Sequence, residues 1–173
     1  MDSYVNRLTT IFYTFVTAFG FASILNHFSA YVCFYPKPTG IISNIVLHDF
    51  TVNSFLGQEQ ANLSFDFEAD LTSEFHWNQK QLFLYVLVKY ETETSHLNEV
   101  IIWDEILRDK EEAKFSLQGL EAKYPLRDQF KELKKKQAKL VVRYRRMPII
   151  GMMDESDFIE SEPLEMPDRY FRK

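Results

Sequence analysis

The chain changes hydrophobic rhythm along its length, and each rhythm predicts a different element. Residues Leu8 to Tyr35 contain no Asp, Glu, Lys or Arg. A helix of about 20 apolar residues crosses a hydrocarbon core about 30 Å thick. The run is therefore long enough to span a bilayer, and the expected span is 11–35, preceded by a short tail, 1–10. Further on, Leu63, Phe65, Phe67, Ala69 and Leu71 alternate with Ser64, Asp66, Glu68 and Asp70, which predicts a strand with one wet face. From Leu82 to Val88 the chain is nearly all apolar: Leu82, Leu84, Val86 and Val88 fall on one face, Phe83, Tyr85 and Leu87 on the other. A strand apolar on both faces is buried on both.

Weaker patterns fill the rest. Ile41 to Val52 reads as a mixed strand leaving the apolar span, Phe115 and Leu117 mark a short strand, and Leu140, Val142 and Tyr144 alternate with Lys139, Val141, Arg143 and Arg145. Ser73 to Trp77 and Gln129 to Gln137 read as turns or short helices. Pro36, Pro38, Pro148, Pro163 and Pro167 are placed outside the strands, where a residue without an amide proton belongs. The fold class is mostly β: one N-terminal transmembrane helix, then an antiparallel β-sandwich-like domain over 36–173. That length is one domain, and no Gly/Ser linker or repeat divides it.

Between Ile11 and Phe34 there are eleven Ile, Leu, Val and Phe residues. Together they favour insertion by about 3 to 7 kcal/mol. Asn26 and His27 oppose it, less so if an interface or a partner helix receives them. A cleaved signal peptide is the rival reading, but it needs small residues at the last and third-last positions. Cutting after Ala30 would put the bulky Phe28 at the third-last place. A retained signal anchor is expected. Charge sets orientation weakly, with Arg7 on one side and Lys37 on the other.

Net charge is −5, which argues against nucleic acid as a partner. The one cysteine, Cys33, lies in or beside the apolar span, so the domain has no disulfide. Asn62-Leu63-Ser64 is the one N-glycosylation sequon, and a glycan there would require Asn62 at a surface position at a strand start.

The order Trp77-Asn78, Lys80-Gln81-Leu82-Phe83-Leu84-Tyr85, Asn98, Val100, Trp103-Asp104 extends over the stretch 75–106. It resembles subunit 3 of the eukaryotic endoplasmic reticulum signal peptidase complex. The resemblance is strongest over Leu63 to Ile106 and returns faintly from Pro163 to Tyr170, which looks like a closing strand. The segments 110–137 and 154–162 match poorly. Relatives can carry a sequon just before the strand corresponding to Leu140–Tyr144; Gln137-Ala138-Lys139 stands there instead, so that glycosylation is not carried over.

The resemblance implies a single-pass type II protein of the endoplasmic reticulum membrane, with a cytosolic tail and a luminal domain. It implies an accessory, non-catalytic role: binding and positioning the catalytic subunit for signal-peptide removal. Its partners would be that subunit and the other small membrane subunits, with nascent secretory chains only indirectly; no cofactor is implied. The alternative is a membrane-anchored luminal or extracellular interaction module unrelated to proteolysis. An autonomous membrane hydrolase is a third reading.

Pattern gives the hydrolase little. None of the eleven serines stands in a G-x-S-x-G context, the Ser-Met element of catalytic signal peptidase subunits is absent, and His48 and His76 read as isolated. One cysteine and no H-x-x-x-H pair leave no zinc site. Asp154-Glu155-Ser156-Asp157 lacks the spacing of a calcium loop and reads as a solvated acidic strip. Lys134-Lys135-Lys136 reads as a solvated turn rather than a headgroup contact. Trp77 and Trp103 fit either the core, which is the default, or an interface. Lys80 and Gln81 open a buried strand, where a lysine must reach solvent, a carboxylate or another chain. Trp77, Lys80, Gln81, Trp103 and Asp104 are therefore the candidate interface residues.

Overall fold

A computed structural model of the chain describes residues 3–32 and 37–172. Cys33, Pro36 and the end of the expected span at residue 35 lie outside the described residues. Helix α1, Tyr4–Val32, is uncharged after Arg7. Its apolar span, Tyr4–Ala30, is 27 residues long, and among its described residues none is fully buried against the protein. A mostly exposed apolar helix is unstable in water and stable in lipid, so α1 is read as the membrane anchor.

The remainder is a two-sheet antiparallel sandwich. The first sheet contains β1 (Thr39–Val52), β2 (Glu59–Asp70), β5 (Lys114–Glu121) and β10 (Phe171–Arg172) in the order β10-β1-β2-β5, with β6 (Leu126–Asp128) also paired to β2. The second runs β4 (Asn98–Leu107), β3 (Gln79–Tyr90), β7 (Gln137–Pro148) and β8 (Asp154–Glu160), with β9 (Leu164–Glu165) also paired to β7.

The two strong rhythms appear as expected. Leu63, Phe65, Phe67, Ala69 and Leu71 face the core, as do Leu82, Leu84, Val86 and Val88. The second face of β3 is also buried: Tyr85 and Leu87, with Val141 of β7, form a separate small cluster against Phe83. That cluster lies on the outer face of its sheet, beneath a roof of charge. Arg143 bonds Glu99 at 3.1 Å through both terminal nitrogens and also pairs with Asp157, while Arg145 bonds Glu155 at 3.0 Å through Nε. The arginine stems exclude water from the apolar patch while their heads remain wet.

Three expectations are corrected. The acidic run 154–157 is not a solvated strip but the edge strand β8, in register with the basic end of β7: Arg143 opposite Asp157, Arg145 opposite Glu155, Arg146 opposite Asp154. Cross-strand charge pairs replace hydrophobic alternation as the source of pairing. Pro148 is the last residue of β7, opposite Gln79, a strand end where its missing donor costs nothing. The closing segment is two short strands, β9 and β10, and Pro167–Tyr170 lies between them.

At the end remote from α1, two buried carboxylates face each other across β2 and β6, Glu59 opposite Asp128. Each accepts hydrogen bonds that hold a turn. Glu59 takes the Leu133 amide at 2.8 Å and the Tyr170 hydroxyl at 2.8 Å, and Asp128 takes the Phe130 amide at 3.1 Å, the Glu132 amide at 3.0 Å and the Tyr90 hydroxyl at 3.1 Å. Burial, with the Glu59 anion beside it, pushes the Tyr170 hydroxyl up to about 12. The lysine turn lies at this same remote end, Lys134 over the Tyr170 ring and Lys135 paired with Asp168. It is a braced turn, far from where α1 joins the domain.

Candidate interaction surfaces

The five candidate interface residues fall in two places. Trp77, Lys80 and Gln81 lie where β3 begins, beside the end of α1. Trp103 and Asp104 lie partway along β4, opposite Val86 and Tyr85. Lys80 and Val86 are six residues apart on one strand, about 20 Å at about 3.3 Å per residue.

The surface beside α1 is built on Asn78. This residue is 2% exposed. Its side chain donates to the Ile150 carbonyl at 2.8 Å and accepts from the Ile150 amide at 3.1 Å, clamping the turn after β7. The same side-chain oxygen accepts from Asn26 of α1 at 3.0 Å. One buried amide thus joins helix, turn and β3. Gly151, at φ +123, rests against the His27 ring so closely that a Cβ would collide with it; only glycine serves both the backbone angle and the approach. Ser23, Asn26, His27 and Ala30 are the half-buried positions on one face of the helix, so the two residues that oppose insertion are those that dock the domain. Trp77 is 53% exposed, against its default as core. Lys80 is exposed, and Gln81 is half-buried, with its amide against Met147 sulfur.

A polar cavity of about 610 Å³ opens here, lined by His27, Lys37, Glu74, His76, Arg146 and Asp154 among others. Arg146 organises it. Its guanidinium grips buried Glu74 through Nε (2.5 Å) and Nη2 (3.1 Å), reaches Asp154 at 2.6 Å and meets the Tyr144 hydroxyl at 2.8 Å. Tyr144 donates to Glu74 at 3.0 Å. Burial, with the Glu74 anion next in weight, pushes the Tyr144 phenol up to about 12. Burial also lowers the His76 pKa from its ordinary value. The Asn78 amide donates to Nδ1 of His76 at 3.2 Å, which fixes that nitrogen as the acceptor.

The second place is a groove of about 550 Å³ between the edges β4 and β5, lined by Trp103, Asp104, Ile106, Phe115, Leu117 and Lys123 among others. Trp103 is 4% exposed, its ring edge-on to Phe67 and beneath the Lys123 ammonium at 5.2 Å. Ile106 and Leu117 are exposed on the groove walls. Asp104 holds the neighbouring Tyr124 phenol above its ordinary range by hydrogen bonding. Among the described residues, its Oδ1 is buried with no hydrogen-bond donor.

His48 is not isolated. The register shift between Leu47 and Asp49 turns it across to β2, where Nε2 lies 2.7 Å from Ser64 Oγ. Distance alone fits a nucleophile and its base. The surroundings do not: Ser64 is 7% exposed on the outer face of its sheet, and neither residue lines either cavity. Among the described residues no carboxylate is bonded to the other imidazole nitrogen. The next rung is Asn62, half-buried within β2, donating to Asp49 at 2.9 Å. Both polar ends of the sequon are thus engaged in cross-strand hydrogen bonds, and Asn62 is inside a strand rather than at its start. Among the described residues no group of three metal-ligating side chains comes together.

One long apolar helix joined to an antiparallel sandwich defines a class: membrane-anchored β-sandwich proteins. Comparison with known proteins narrows it. The profile of the signal peptidase subunit family matches residues 1–169, and the chain belongs to that family. Signal peptidase complex subunit 3 of Dictyostelium discoideum is 36% identical over 115 residues, 66% of each chain. The Yarrowia lipolytica subunit 3 is 33% identical over 96 residues, 55% of this chain and 52% of its own. The human subunit 3 is 31% identical over 134 residues, covering 75% of this chain and 73% of its own. The matched region thus spans about half to three quarters of these relatives.

Proposed function

We propose that this protein is a non-catalytic accessory subunit of a signal peptidase complex in the endoplasmic reticulum membrane. It binds the catalytic subunit and fixes its position relative to the bilayer, so that signal peptides are cut at a set distance. The tail ahead of α1 is cytosolic, α1 is the anchor, and the β domain is luminal. The single observation that carries this reading is the family match across 1–169. The docking of the domain on its own anchor through Asn26, Asn78 and His27 supports a positional role, because a partner held by such a domain has a defined height. The catalytic subunit contacts Lys80 and Gln81 on the face beside α1 and the groove at Trp103 and Asp104. The Ser64–His48 pair is a cross-strand hydrogen bond without chemical function.

The test is affinity purification of the tagged full chain from membranes in mild detergent, with partner identification and a signal-peptide cleavage assay. The expected outcome is recovery of a catalytic signal peptidase subunit, with cleavage activity in the purified complex. Lys80→Glu should reduce that recovery while the domain stays folded. Recovery of the chain without any peptidase subunit would refute the proposal, as would digestion of the domain from Ile41 onward by protease added outside sealed microsomes.

A further inference from the structure

The face beside α1 carries a cluster of apolar side chains that neither the fold nor a positional role requires. The turn between β7 and β8 reads Ile149-Ile150-Gly151-Met152-Met153, with no charge and no polar side chain. Ile149 is 61% exposed, Met152 75% and Met153 65%. Trp77 stands next to Asn78, which clamps this turn. In water such a projecting apolar tip is unfavourable.

Its height relative to the membrane follows from its contacts. The apolar span Tyr4–Ala30 has its midpoint at Thr17. At about 1.5 Å per residue, His27 lies about 15 Å from that midpoint along the helix axis. A hydrocarbon core about 30 Å thick ends there. Gly151 rests on His27, and Asn78 bonds Asn26, one residue earlier. The turn and the base of β3 are therefore level with the boundary between acyl chains and headgroups. Tryptophan is favoured at that depth.

We propose that the turn 149–153 and Trp77 form a lipid contact, inserted in the interfacial layer of the leaflet where α1 ends, so that the domain rests on the bilayer as well as on its helix. The occupant is phospholipid rather than another protein, because the apolar tip continues an apolar helix surface at the depth where lipid is the surrounding medium. The proposal rests on α1 crossing the bilayer.

The experiment uses the full chain in phosphatidylcholine bilayers whose acyl chains carry bromine near the headgroup. Bromine quenches tryptophan only at close range. The chain has two tryptophans, and Trp103 is in the core. The expected result is loss of most Trp77 emission relative to unbrominated bilayers, and disappearance of that quenched component in Trp77→Phe. Ile149→Glu with Met152→Glu should weaken the quenching with near-ultraviolet circular dichroism unchanged. If the chain resists alkaline extraction but Trp77 is quenched by aqueous iodide and not by brominated lipid, the lipid contact is refuted and a protein partner takes its place. If the chain is extracted by alkali, the spanning reading fails, and the lipid contact with it.

Discussion

Replacing Arg146 with Ala should be among the most damaging single changes outside the apolar core. Glu74 is 7% exposed and accepts three hydrogen bonds, two from the Arg146 guanidinium and one from Tyr144. Without Arg146 the carboxylate keeps only the Tyr144 hydroxyl, which Arg146 itself had contacted at 2.8 Å. Removing one partner of a buried pair costs about 3–5 kcal/mol, because the other charge stays buried and uncompensated. For a domain of this length each kcal/mol lowers the melting midpoint by roughly 4 °C, so the drop should be roughly 10–20 °C. Glu74→Gln should cost less, since Arg146 retains Asp154 at 2.6 Å. The double change Glu74→Gln, Arg146→Ala should recover most of the loss, because no buried charge is then stranded. The assay is thermal unfolding of the full chain in detergent, followed by near-ultraviolet circular dichroism, with the four proteins forming a double-mutant cycle. A midpoint for Arg146→Ala within about 2 °C of the parent would refute the reasoning. It would mean that water, rather than Arg146, solvates Glu74 in the cavity.

Leu84→Asp places an unpaired carboxylate at a position with 0% exposure, costing several kcal/mol; it should yield no cooperative melt in the same assay, and a parent-like melt would show that β3 is not central. Arg143 holds Glu99 and Asp157 below the usual carboxylate range, mainly by hydrogen bonding. Their stabilising contribution is complete above the ordinary values of 4.5 and 3.8 and is lost as pH falls through the lower folded values. Unfolding midpoints should therefore decline below about pH 4.5, and Arg143→Met should flatten that decline; an unchanged profile would remove the roof of charge from the stability account. His48→Ala and Ser64→Ala in the assembled complex should leave cleavage near normal, whereas loss of a true nucleophile costs several orders of magnitude. A folded, assembled variant without activity would overturn the non-catalytic reading.

The apolar rhythms made β2, β3 and the middle of β7 legible, because burial imposes period two where one face is covered and continuous apolarity where both are. β8 escaped because its pairing comes from charge. Arg143-Tyr144-Arg145-Arg146, a turn, then Asp154-Glu155-Ser156-Asp157 is a readable signal for an antiparallel hairpin, but only when opposite charges are compared across the turn rather than hydrophobic residues along one strand. At the candidate surfaces, sequence brought out Trp77, Lys80, Gln81, Trp103 and Asp104 but not that they occupy two sites. Nothing local distinguishes Trp77, 53% exposed, from Trp103, 4% exposed; the difference comes from one lying at a strand's entry and the other under the opposing sheet. Asn78 and Gly151 were missed because their role is a contact with α1, far away in sequence. The signal for them was the cost of Asn26 and His27 within an apolar helix, which only a polar partner relieves.

The Asn26–Asn78 bond and the fit of His27 on Gly151 replace a hinge with a joint. A sandwich on a loose tether would average over orientations and be indifferent to the bilayer below it. Here the domain is the long arm of a lever whose short arm is the helix. Bilayers of different thickness change helix tilt. A tilt change of about 10° swings the far end of a body about 40 Å tall, the length of 12-residue β3, by about 7 Å sideways. Whatever is fastened to the upper part of the sandwich is thereby aimed by the thickness of the membrane.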